Sequence, residues 1–240
     1  MKKLTLLCLL LFFGCEMHEQ ENIVQGETEA RVVNLSLLEE LTTAIVQNDV
    51  SYVIEKLSVG SFEINVPNKE GELILNKAVE NKRLIIGYYL IKGGANPDSE
   101  DDEGESARML AELSDQTEAW EAIFDLAPLK EDVANAAIFN LLTDSKPETE
   151  EKFIPSVDTY LNQLGAHIDG RNGGNFTYLM EASSRRLLGM VKLFCLHPDI
   201  DPNVKVERGR GRRKQTFTAL SLSKNFPEIQ EELIKCGAVE

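Results

Sequence analysis

The chain of 240 residues has few cysteines, few histidines, a shortage of cations and only one long apolar run. Each scarcity excludes something. Four Cys and three His, widely scattered, cannot supply a zinc framework, so no metal and no cofactor are expected. Lys+Arg number 25 against 40 Asp+Glu, a formal charge of −15. That is the wrong sign for a general nucleic-acid binder, which must neutralise phosphates. The one near-continuous apolar run, Leu4–Cys15, falls short of the ~20 residues a membrane-spanning helix needs, which excludes a polytopic membrane protein. Motifs of catalysis are missing too: no phosphate-cradling glycine loop, no nucleophile elbow, no His-x-x-x-His and no Cys-x-x-Cys. An enzyme is therefore not expected. A hydrophobic fraction of 42% nonetheless provides for a core, so disorder throughout is excluded as well.

What is present begins with an address. Met1-Lys2-Lys3 is a cationic start, Leu4–Phe13 is largely apolar, and the run stops at Gly14-Cys15 before the acidic Glu16, Glu19 and Glu21. This layout resembles a bacterial lipoprotein signal, in which the cysteine after a small residue is lipidated. The resemblance covers residues 1–15 and departs from the usual pattern at Phe12 and Phe13. It implies Cys15 as the lipidation site and a place in the bacterial cell envelope. With Glu16 next, it implies the outer membrane facing the periplasm, the membrane being met through the N-terminal lipid only. Residues 16–34 are acidic and lack a sustained helical period. They are expected to form a flexible tether, on the order of 20–25 Å as a random coil.

From residue 35 to 240 the chain repeats. Small residues recur at Ala44, Ala78 and Ala111, and glycines that close apolar helices recur at Gly60, Gly94, Gly165 and Gly237. The spacing is near 33 residues or close to its double, which predicts an all-α helical solenoid. The residues of one period are Asn68-Lys69-Glu70-Gly71, Leu75, Ala78-Val79-Glu80-Asn81, Tyr89-Leu90-Ile91 and Lys92-Gly93-Gly94-Ala95-Asn96. They resemble the ankyrin repeat almost position by position. Related stretches are Asp101–Ala107, Asn172–Ala182, His197–Asn203, Thr218–Ser223 and Leu233–Ala238. The resemblance implies about six units over Leu38–Glu240, with short turn or β-hairpin tips. The unit Leu129–Asp169 is the least regular, with a long link at Thr143–Glu150. Thr177 and Thr218 are expected to cap first helices. Gly94 and Gly237 are expected in left-handed conformation past second helices. Ala78, Ala111 and Ala182 are expected where neighbouring units press together, and Trp120 in the core.

Ankyrin-like arrays present tips and a helical face to a partner, so a partner protein is the expectation. Two tips stand out. Asp98–Glu105 holds six acids in eight residues. It reads as a solvated acidic turn or a contact for a basic partner, and only fragments of a Ca²⁺ loop occur in it. Asn203–Phe217 is about eight residues too long for the repeat. Its alternation of Val204, Val206 and Thr216 about a glycine-rich centre predicts an extended finger, the segment Lys205–Lys214 carrying +5. It reads as a solvated loop, as a plug for an acidic cleft on a partner, or as a contact for anionic lipid or polymer. The candidate protein-binding residues are Asn68, Lys69, Glu70, Glu72, Asp101, Asp102, Glu103, Glu105, Arg208, Arg210, Arg212 and Arg213. A monomer is expected, without nucleic acid. Cys195 and Cys236 lie on second helices, but their repeat positions are offset by two, which argues against a bond between them. Without Lys2 and Lys3 the charge is −17, and −22 outside the finger. The chain is an acidic solenoid with one basic projection.

Overall fold

The computed structural model describes residues 35–59, 62–209 and 214–239, which form twelve α-helices in six pairs. The pairs are α1 (residues 35–47) with α2 (Val50–Val59), α3 (Ile74–Glu80) with α4 (Leu84–Lys92), and α5 (Ala107–Glu112) with α6 (Thr117–Phe124). They continue with α7 (Glu131–Asp144) and α8 (Ile154–Asn162), α9 (Tyr178–Ser184) and α10 (Leu188–Cys195), α11 (Ala219–Leu222) and α12 (Pro227–Lys235). First helices pack on first helices, α3 on α5 and α7 on α9 on α11; second helices pack on second, α2 on α4 on α6 and α8 on α10 on α12. The fold is a helical repeat solenoid, as expected. Among the described residues its only sheet is an antiparallel pair, β1 (Val206–Arg208) and β2 (Gln215–Phe217).

Most of these helices run fewer than ten residues, too short to persist alone in water, so stacking must hold them. Five residues past the N-cap of each regular unit stands a small residue, Ala78, Ala111, Ala182 or Ser223, each fully buried. There the first helices approach one another. Ser106, Thr177 and Thr218 cap the first helices, their hydroxyls accepting from Met109 N (3.3 Å), Met180 N (3.3 Å) and Ser221 N (3.0 Å). Gly94 (φ 98°) and Gly237 (φ 96°) turn left-handed just past α4 and α12, as expected. Trp120 is wholly buried against Gly87 of α4, where the indole leaves no room for a Cβ.

The fourth unit breaks the regularity. Its first helix is fourteen residues long, and Lys130 at its N-cap makes no capping bond. In a straight stack, units one and four would lie three spacings of about 8–10 Å apart. Here α8 packs against α2, Tyr88 Oη donates to Gln163 Oε1 (3.2 Å), and Tyr89 Oη shares a hydrogen bond with Thr159 Oγ1 (2.9 Å). The array therefore turns back on itself at unit four. The long link Thr143–Glu150 becomes a strut to the next unit. Glu150, only 7% exposed, accepts from Gly189 N (3.0 Å) and Met190 N (3.1 Å) at the start of α10.

One expectation is overturned. Cys195 and Cys236 are disulfide-bonded, their Cα atoms 5.4 Å apart. Counted from the starts of α10 and α12 they are indeed offset by two. Counted from Thr177 and Thr218, however, both stand eighteen residues on. Helix α12 begins two residues early relative to α10, yet the two cysteines stand in register when counted from the caps of the first helices.

Candidate partner-binding face

The three short tips share one device. The first residue of each turns its side chain back onto the loop. Asn68 Oδ1 accepts from Glu70 N (3.0 Å) and Glu72 N (2.9 Å). Asp101 Oδ1 accepts from Glu103 N (3.0 Å) and Glu105 N (2.9 Å). Asn172 Oδ1 accepts from Gly174 N (2.9 Å) and Phe176 N (3.0 Å). Asn and Asp favour such turns because their short side chains reach backbone two residues on. Three residues later each tip needs a left-handed residue: Gly71 (φ 83°), Gly104 (φ 81°) and Asn175 (φ 63°).

These bonds divide the sequence candidates. Asn68 is buried at 6% exposure, and the half-buried Asp101 also accepts from Asn76 Nδ2 (2.9 Å), so both side chains hold the turn. Glu72 is half-buried and pairs with Lys77 (2.8 Å). Lys69, Glu70, Asp102, Glu103 and Glu105 are exposed. Asp102 N donates to Gly71 O (3.0 Å), joining the two tips into one edge that carries four acids, Glu70, Asp102, Glu103 and Glu105. No set of three or more His, Cys, Asp or Glu suited to a metal occurs among the described residues.

A second set of residues was not singled out in the sequence. Asn65 Oδ1 accepts from Asn96 N (2.7 Å) while its Nδ2 donates to Gly94 O (3.0 Å). Asn203 does the same to Val239 N (2.8 Å) and Gly237 O (3.1 Å). Asn135 Oδ1 accepts from His167 N (3.1 Å), and also from Tyr178 Oη (2.6 Å). Asp169 stands at the matching place, with the Asp201 backbone N–H turned toward it. Each asparagine thus clasps the start of the next tip or, for Asn203, the segment after α12. Asp169, a carboxylate, has no donor for the neighbouring carbonyl. Its Oδ1 is buried without a partner, and burial, with Asp201 close by, holds its carboxyl above the ordinary range. The available signal was an Asn or Asp eight residues before the cap, at 65, 98 and 169. At the third-to-fourth junction the clasp is replaced: Asp98 instead pairs with Arg108 (2.7 Å).

The sixth tip differs from the other three. In the third and fifth units an isolated bridge closes the loop after six residues, Glu100 with Ser106 and Arg171 with Thr177. In the sixth, Val206 pairs with Phe217, eleven residues on, and the ladder continues outward through Glu207–Thr216 to Arg208–Gln215. The expected finger is an enlarged tip with a β-hairpin root. Arg208 anchors that root. Its Nη2 donates to Gly174 O (2.7 Å), its guanidinium lies 4.3 Å from the centre of the Phe176 ring, and Phe176 meets Phe217 edge-on at 5.9 Å. Lys214 pairs with Glu207 across the hairpin. Arg208 is thereby a root residue rather than a free contact, and Lys205 is exposed. Arg210, Arg212 and Arg213 lie outside the described residues, as does Cys15.

A cleft of about 490 Å³ opens between the first three units and unit four, lined by Asn48, Lys82, Arg83, Gln116, Asp132 and Tyr160 among others. Its cations are engaged: Arg83 donates to Ile45 O (3.2 Å) and Val46 O (3.0 Å), and Lys82 pairs with Asp115 (2.7 Å).

No family model matches the chain, and no curated protein matches it. Among solved structures it is similar to the ankyrin repeat protein EF0377, at 22% identity over 82% of this chain and 98% of that one, with a TM-score of 0.34. It is similar also to the ankyrin repeat domain of Bcl-3, a unique member of the IkappaB protein family (19% identity, 81% and 97% covered, TM-score 0.33). A third is an ankyrin repeat domain from Acinetobacter baumannii AYE (17% identity, 83% and 98% covered, TM-score 0.33). The architecture rests on the chain's own paired helices, capped tips and left-handed closures, and these make it a helical repeat solenoid.

Proposed function

We propose that this protein is a protein-binding module of the bacterial cell envelope, anchored by lipid at Cys15, whose main reading element is the sixth tip. One observation carries the reading: a single tip is built outward on a β-ladder and clamped at its root, while its three counterparts close on themselves after six or fewer residues. The segment Lys205–Lys214 brings +5 to a chain of −15. A basic projection on an acidic body suits a partner with an acidic cleft, and the acidic edge Glu70–Glu105 offers a second contact for basic surface beside it. In its concrete form the protein is an inhibitor or immunity protein. The finger would enter the active-site cleft of an envelope hydrolase, where acidic groups hold a metal or a cationic substrate. The Cys195–Cys236 bond supports an oxidising compartment, since such bonds persist outside the cytosol.

Affinity capture from envelope extracts with the full chain and with a Lys205–Lys214 deletion tests this. The reading expects one partner held by the full chain and lost from the deletion. An unchanged capture would remove the finger from the account. The alternative role, an envelope-organising protein binding anionic lipid or polymer, separates by salt. Nonspecific phosphate contacts weaken steeply as ionic strength rises, whereas an inserted finger holds at moderate salt.

A further inference from the structure

Of the six described units, the one with the shortest first helix, α11 at four residues, also carries the finger, and so short a helix opens readily unless its neighbours hold it. Something must hold it. The Cys195–Cys236 bond fastens the end of α12 to the end of α10 in the fifth unit. Immediately after Cys236, Gly237 O accepts from Asn203 Nδ2 and Val239 N donates to Asn203 Oδ1. Asn203 lies three residues before β1. A continuous path thus runs from the disulfide through Gly237 and Val239 to Asn203 and the finger root. The bond also closes a loop of 41 residues that contains the whole finger, both strands and α11. Closing such a loop removes open conformations in which the sixth unit has parted from the fifth.

We infer that the Cys195–Cys236 bond is a maturation lock on the finger: before oxidation the sixth unit opens readily, and oxidation sets the finger for binding. This rests on the proposed role of the finger as the reading element. Oxidation removes two electrons and two protons from the pair of thiols. The acceptor is a disulfide-bonded oxidant, which is reduced to its dithiol by exchange. A chain newly made in a reducing compartment would then carry a loosely held finger root, and the same chain in an oxidising one a fixed root. The other ties to the fifth unit, Arg208 on Gly174 and α11 on α9, do not involve either cysteine. The lock therefore changes how often the unit opens rather than whether it folds.

Hydrogen exchange on the full chain tests the lock without any partner. Oxidised protein, the same protein in dithiothreitol, and the Cys195→Ser/Cys236→Ser variant are compared at the amides of β1, β2 and α12, with α3 and α4 as internal reference. The inference expects exchange at β1, β2 and α12 to rise at least tenfold on reduction and equally in the double variant, with α3 and α4 unchanged. Two free thiols at Cys195 and Cys236 in air-oxidised, folded protein would overturn it. So would equal exchange in the oxidised and reduced states. Because no partner is involved, failure of the lock is distinguishable from failure of finger binding, which the capture experiment reads.

Discussion

The short tips and the finger start from the same root and end as different things. Tips two, three and five fold a side chain inward: Asn68, Asp101 and Asn172 each satisfy two backbone N–H groups of their own loop. Among its described residues the finger shows no such bond. Its order comes from ladder pairing and from a clamp on a neighbouring tip, Arg208 on Gly174 and Phe176. A polar residue at a tip is therefore not by itself a contact residue. In each short tip the first polar residue serves the turn, whereas the described root of the longer one is held by its ladder and by the neighbouring tip. Stability and binding should separate accordingly.

The largest loss of stability is expected at Asp101. Asp101→Ala removes acceptors for Glu103 N, Glu105 N and Asn76 Nδ2, and should cost about 2 kcal/mol by urea denaturation, with Asn68→Ala and Asn172→Ala at about 1–2 kcal/mol. Partner capture should survive all three at temperatures where the chain is folded. Arg208→Ala reverses the pattern. It should lower stability by only about 0.5–1 kcal/mol, yet speed exchange at β1 and β2 and weaken capture. Arg208→Lys should restore little, since an ammonium lacks the planar fork that meets both Gly174 O and the Phe176 face. If Arg208→Ala weakened the fold as much as Asp101→Ala did, the division between tip and finger would not stand.

The smallest effect is a gain. Asp169→Asn, at the root of tip five, supplies the amide donor that Asn65 and Asn203 use at the same position, and should stabilise by about 0.5–1 kcal/mol at neutral pH. The sign of its pH dependence follows from the raised carboxyl of Asp169, which His167, Arg171 and Asp201 surround. The native state binds this proton before the unfolded chain does. Wild-type stability therefore falls as pH rises from the unfolded value, near 4, through the raised native one. The variant's advantage is full above that window and fades as pH drops toward about 4. Melts of both chains between pH 4 and 8 would show the difference closing.

Much of the fold could be read from the residues because its signals are local. The period of small residues, the hydroxyl caps at Thr177 and Thr218, and the left-handed glycines 94 and 237 each answer to a few neighbours in sequence. The finger was legible for the same reason: an insertion in a known period is visible by counting. What escaped depends on pairs far apart. Tyr89 meets Thr159 seventy residues on, and Asn203 reaches Val239 across thirty-six. The disulfide is hidden when register is counted from the second helices, whose starts drift by two, and shows only from the caps Thr177 and Thr218. The inward turn of Asn68 and Asp101 is not legible either, because composition at a tip does not say which way a side chain turns.

The most direct test of the account is a paired capture at matched folded concentration, using the oxidised full chain and its Lys205–Lys214 deletion, with bound partner quantified at moderate salt. The account predicts at least a tenfold loss of bound partner on deletion. Equal recovery of the same partner by both chains would contradict it.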